Sequence, residues 1–202
     1  MIYKSRMLAS DFDVSFLSME KDKEAIIRKL FVESRPYSDY LKRLLIVNTK
    51  DCLDTTKHQY QTEIDKLSVS DLKEQGYLCF SPMLPFEEFE TSKSYLYMAF
   101  RDVAPSSYNP QFVNTSLEIM CISNMKNWEL DDYAVRPWKM AGYVNGILNN
   151  SRLSGIGTLQ FGGASEFTWD ENFGGVLLTY VGTHSTDDEE KISKESGLGS
   201  AV

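Results

Sequence analysis

The sequence predicts an α+β fold: an antiparallel or mixed β-sheet packed by one main helix, with an N-terminal helical region and a disordered acidic C-terminal tail. Three observations predict it. Phe112-Val-Asn-Thr-Ser-Leu-Glu-Ile-Met-Cys-Ile122 alternates, placing Val113, Thr115, Leu117, Ile119 and Cys121 on one face, the pattern of a strand with one buried side. Met140, Ala141, Val144, Ile147 and Leu148 fall on one helical stripe. Beyond His184, residues 185–202 hold five acidic and two basic side chains with no apolar period, a composition that cannot bury enough surface to fold alone. The chain therefore divides into a helical region (1–76), an α+β domain (77–184) and a flexible tail (185–202).

In chain order, residues 1–19 read as a partly ordered arm. Glu20 to Glu33 reads as a helix with Ala25, Ile26, Leu30 and Phe31 near one stripe, broken at Pro36. A second helix is predicted from Tyr37 to Val47, with Tyr40, Leu41, Leu44 and Leu45 inward. Thr55 to Leu67 carries a weaker helical pattern through Tyr60, Ile64 and Leu67, and Asp71 to Gly76 ends in a glycine of C-cap type. Tyr77 to Phe80 is a short strand, and Pro82 and Pro85 force an irregular connection. Ser94 to Arg101 alternates with Leu96, Met98 and Phe100 on one face. Asp102 to Gln111, with Pro105 and Pro110, reads as a loop too long for a tight hairpin.

After the Phe112–Ile122 strand, Asn124 to Asp132 is a polar connection around Trp128. A helix follows with Pro137 near its start, where the missing N–H costs nothing, and Asn149-Asn-Ser151 ends it. Leu153 to Gly163, Ser165 to Trp169 and Gly175 to Thr183 read as three strands, with Asp170 to Gly175 a polar turn whose glycines can take positive φ. Shared periodicity predicts a core of Leu117, Ile119, Val144, Leu148, Phe161, Leu178 and Tyr180.

The 202 residues suffice for one domain with a sizeable core. A formal net charge of −8 argues against binding nucleic acid by phosphate neutralisation; it suits protein partners, or a surface that DNA must pass without sticking. Cys52, Cys79 and Cys121 are odd in number and form no CxxC pair, which predicts reduced thiols. No apolar run reaches the length of a membrane span. His58 and His184 have no metal-ligand spacing. The glycines of Ser154-Gly-Ile-Gly157 and Gly162-Gly163 follow a helix instead of opening one, so they turn and bulge a sheet and cradle no phosphate. Alternation turns Phe167 and Trp169 inward and leaves Glu166, Asp170 and Glu171 outward. No catalytic, cofactor-binding or metal-binding residues are predicted. The loop bearing Tyr108 is expected to contact a neighbouring subunit, since exposed tyrosines often anchor interfaces. Pro105, Tyr108, Pro110, Trp128 and Trp169 are the candidate subunit-interface residues.

The order of these elements, together with Leu117-Glu-Ile-Met-Cys-Ile122, Trp128 in an acidic turn, Arg136-Pro-Trp-Lys-Met-Ala141, Leu148-Asn-Asn150, Leu153-Ser-Gly-Ile-Gly-Thr-Leu-Gln-Phe161 and Asp170-Glu-Asn-Phe-Gly-Gly-Val-Leu-Leu-Thr-Tyr180, resembles the neck and tail-terminator (tail-completion) proteins of tailed bacteriophages over roughly residues 94–190. The resemblance implies a structural virion protein and not an enzyme: a subunit of a homo-hexameric ring that caps the tail tube. Its implied partners are the tail tube protein and a head-closure or adaptor protein. DNA would pass through the ring without specific binding, and the ring would be assembled in the host cytoplasm into the virion, with no membrane and no cofactor. Two other readings compete: another joining protein (head closure, adaptor or baseplate), and a cytosolic enzyme or ligand-binding protein.

Overall fold

A computed structural model describes residues 21–54, 56, 61–80, 93–105, 112–153 and 156–185. Helix α1 covers 21–28 and ends in a π-helical turn, Lys29–Glu33. Three helices follow: α2 (Tyr37–Ile46), α3 (Gln61–Lys66) and α4 (Val69–Glu74). The sheet consists of β1 (Leu78–Cys79), β2 (Ser94–Pro105), β3 (Phe112–Asn124), β6 (Gln160–Thr168) and β7 (Phe173–Ser185). Helix α5 (Arg136–Leu148) lies between β3 and a two-stranded hairpin, β4 (Arg152–Leu153) and β5 (Gly157–Thr158). The sheet order is β1-β2-β3-β7-β6, antiparallel throughout except for the parallel β1–β2 pair. The fold is thus α+β with a mixed sheet, as the sequence predicts.

Local chemistry explains the helix ends. Ser68 and Asp71 form a reciprocal capping box at the start of α4, and Gly76 closes that helix with φ of 79°. Lys42 of α2 is buried and donates to the carbonyls of Asp65 (3.0 Å) and Leu67 (2.8 Å) at the end of α3. Its neighbour Arg43 grips the Asp65 carboxylate with both Nε and Nη2, a bidentate pair of fixed geometry.

One core unites the helices and the sheet. Ile26, Leu30, Leu41, Leu44, Leu72, Leu117, Ile119, Val144, Leu148 and Tyr180 are all 0% exposed and belong to one contiguous cluster. Six of the seven core residues predicted from periodicity are buried there. Phe161 is the correction: it is 41% exposed, its ring edge-on to Tyr180 at 5.8 Å. It lies on β6, an edge strand with no neighbour on its outer side among the described residues.

Further expectations change. The far face of the sheet is also buried at one end, where Tyr95, Tyr97, Ile122 and Phe173 form a second cluster with Phe167 and Trp169 packed on it. Leu153 to Gly163 is not one strand: β4 and β5 fold into their own hairpin, and β6 runs on through Gly163. Gly162 is an extra residue between the pairs Phe161↔Tyr180 and Gly163↔Thr179, so the glycines bulge the strand without ending it. The predicted loop from Asp102 is shorter, because β2 extends to Pro105, which pairs with Val113 after a one-residue bulge. Gly174 and Gly175 belong to β7 and not to the turn. A Cβ on Gly175 would lie 2.0 Å from the carbonyl oxygen of Cys121, so glycine is required there for close approach of the strands. The turn itself is Asp170–Asn172, where the Asp170 carboxylate accepts from the backbone N–H of Asn172 and of Phe173.

Candidate functional site

The connection from β3 to α5 is built around Arg136, which is 0% exposed. Its Nη1 donates to the carbonyls of Leu44 (2.9 Å) and Val47 (2.7 Å), Nη2 to Thr49 (2.7 Å) and Nε to Asn127 (2.8 Å). The guanidinium sits against the C-terminal end of α2, the negative end of that helix, and ties it to the start of α5. Burial pulls its pKa below the usual arginine value, with the adjacent Cys52 acting the other way. Cys52 is pushed up chiefly by its own burial, which favours the protonated thiol over the thiolate.

Arg136 braces a projecting turn. Leu130 N–H donates to the carbonyl of Ala134 (3.0 Å), Tyr133 N–H to Leu130 (3.1 Å), and Ala134 N–H to the Asp132 carboxylate (3.2 Å). Asp131 N–H donates to the Lys50 carbonyl, Lys50 Nζ to Glu129 and Lys139 Nζ to Asp132. The hydrogen bond from Lys139 holds Asp132 below the usual carboxylate range, and that from Lys50 does the same for Glu129. At the apex stands Tyr133, 100% exposed and with φ of 60°, a left-handed conformation uncommon for a bulky residue.

Along the outer side of α5, Trp138 (43% exposed) donates from Nε1 to Glu166 of β6. Asn145 accepts from the Tyr180 hydroxyl (3.2 Å), and Asn149 accepts from the backbone N–H of Phe161 (3.2 Å). These contacts fix β6 and β7 to the helix while leaving seven of the nine residues of β6 exposed. The strand carries one charge, Glu166, and no proline. A long, exposed edge with a single charge is a template for pairing with another chain.

The predicted interface residues fall in different places. Trp128 is half-buried, its Nε1 donating to the carbonyl of Ser123 (3.1 Å). Trp169 is half-buried with its ring edge-on to Phe167 at 6.2 Å. The two tryptophans gather at one end of the sheet, where Trp169 N–H donates to Phe173 and a Cβ on Gly174 would sit 3.1 Å from the Trp128 ring. Pro105 ends β2 at the opposite end of β3. Tyr108, Pro110, His58 and the 186–202 tail lie outside the described residues, and His184 pairs with Val113 near the end of β7. Sequence reasoning missed Tyr133 and Trp138. A lone tyrosine in an acidic turn has no periodicity to mark it, and Trp138 looks like one more helix residue until the strand beside it is placed.

Among the described residues no helix is long and apolar enough to cross a membrane, and no group of three or more His, Cys, Asp or Glu side chains is placed to hold a metal ion. No curated protein matches the chain. The family model named YomW matches residues 38–181, which span Arg136, the Tyr133 turn, α5, all of β6 and β7 as far as Val181; the name is phage-derived and points to a phage-associated protein. On that match over most of its length, the chain belongs to the YomW family.

Proposed function

We propose that this chain is a structural subunit of a tailed-phage particle: a ring-forming neck or tail-terminator protein that caps the tail tube and joins it to the head. The observation that carries this reading is the β6 edge, open among the described residues, nine residues long, carrying exposed Phe161 and flanked by exposed Trp138, which suits a protein whose work is to bind neighbouring chains. The phage-derived family name supports the setting. The net charge of −8 suits a ring through which DNA slides, since like charges repel. In this reading the partners are further copies of the chain in a hexamer, the tail tube protein and a head-closure or adaptor protein. The role is mechanical and not enzymatic.

The test has two parts. Mass spectrometry and immunogold labelling of purified particles should find the chain at the head–tail junction. A variant with Ala164→Lys and Ser165→Lys, which charges the edge, should fold with a near-normal Tm yet leave heads and tails unjoined. A chain absent from purified particles would overturn the proposal and favour the cytosolic enzyme or binding protein. Label at the far end of the tail would reassign the chain to the baseplate.

A further inference from the structure

We infer that copies of this chain join head to tail, the Tyr133 turn of one seating in a basic cleft of the next. This rests on the ring reading above and names the contact that would build the ring.

The cleft, about 340 Å³, lies between α1 and the β4 strand. Four cations line it (Lys21, Arg28, Lys29 and Arg152), together with the apolar Ala25 and Leu153. Of its two carboxylates, Glu33 is shared by Arg28 at 3.0 Å and Lys29 at 3.7 Å. Lys21 and Arg152 make no ion pair among the described residues. On a chain of net charge −8, this is a local positive hollow among the described residues.

The Tyr133 turn is its complement in charge. Glu129, Asp131 and Asp132 surround the tyrosine, against the two lysines that pair with them. The backbone bonds already described fix the turn, so docking it orders little that was free. A tyrosine held in a left-handed conformation and fully exposed gains nothing within its own chain; strain of this sort at the surface points to function. A phenol ring can lie on an arginine such as Arg152 while its apolar edge meets Leu153.

Position decides the occupant. The turn precedes the first residue of α5, and Arg152 follows its last residue by four. The two features therefore sit at opposite ends of a 13-residue helix, about 20 Å apart, and one copy cannot satisfy itself. A contact between unlike patches is heterologous: it closes into a ring or runs on as a filament.

The experiment uses the full chain. Tyr133→Asn places in the left-handed position a residue that tolerates it, so Tm should hold or rise, while self-association measured by sedimentation should weaken roughly ten-fold or more. With Tyr133→p-benzoylphenylalanine, irradiation should link residue 133 to peptides from 21–33 or 152–153 of a second chain. Lys21→Glu with Arg152→Glu should dissociate the assembly, and adding Asp131→Lys should restore it. Cross-links that map elsewhere, a charge swap that restores nothing, or a chain that stays monomeric at high concentration would each overturn the inference. These measurements are made on purified protein, so they stand apart from the particle test. A chain missing from particles would sink the functional reading without touching the contact, and a failed cross-link would sink the contact alone.

Discussion

Arg136 is the residue on which two helices depend. It donates to four carbonyls, at Leu44, Val47, Thr49 and Asn127, and truncation would take this donor from the buried carbonyls of Leu44 and Val47. Arg136→Ala should cost about 3–5 kcal/mol, read by urea denaturation. Arg136→Lys should recover only part of that, because an ammonium cannot reach four carbonyls in the guanidinium's plane. The sequence marked this residue only as the opening of a helix. Nothing in a linear pattern says that an arginine before a proline is buried, since its partners lie 87 to 92 positions away in three of the four bonds. Phe161 shows the opposite error. A phenylalanine at strand period reads as core, but periodicity assigns a face and not a neighbour, and among the described residues β6 has no strand outside it to complete the burial.

At the scale of elements, α5 and β3 were legible because each carries a full apolar period with marked ends, at Pro137 and Asn149 for the helix. The β4–β6 region was not. Its glycines permit turn, bulge and strand alike, and the Gly162 bulge is fixed by pairing with β7 rather than by local preference. The second cluster around Tyr95 and Tyr97 escaped for a related reason: Ser94 to Phe100 is apolar at both parities, so alternation picked one face where two are buried. Helix α5 also carries Gly142 and Gly146, where an added Cβ would meet nothing within 4 Å. Glycine inside a helix costs roughly 0.5–1 kcal/mol relative to alanine. Gly142→Ala and Gly146→Ala should therefore each stabilise the isolated chain by about that amount in thermal or urea melts.

For the whole molecule, the buried neutral groups set the pH range. Burial raises Cys121 above its ordinary 9.0 and Tyr180 above its ordinary 10.0, and Tyr143 is raised for the same leading reason. A group raised in the folded state lends stability that is complete below its unfolded pKa and is lost as pH climbs past it. Burial lowers Lys42 from 10.5, which opposes the trend, but this one lysine stands against two thiols, Cys52 and Cys121, and two phenols. Urea midpoints should stay level through neutral pH and fall from about pH 9 upward, with the double change Cys52→Ser and Cys121→Ser moving the onset toward the tyrosine range. A chain whose midpoint rose across that interval would contradict the assignment of these groups as buried and neutral.

The strand order β1-β2-β3-β7-β6 bears on how the protein is made. Strand β3 is the centre of the sheet, and every residue from Phe112 to Asn124 pairs with β7, from Ser185 back to Phe173. During synthesis the helices and the β2–β3 hairpin come first, and β3 then waits, with one edge and its apolar face uncovered, until the ribosome has passed α5, the β4–β5 hairpin and β6. Non-local pairing of this kind is slow to reward its loop closure. A stop codon falling late in the gene, anywhere ahead of β7, thus removes the partner of the central strand and is as ruinous as one near the start.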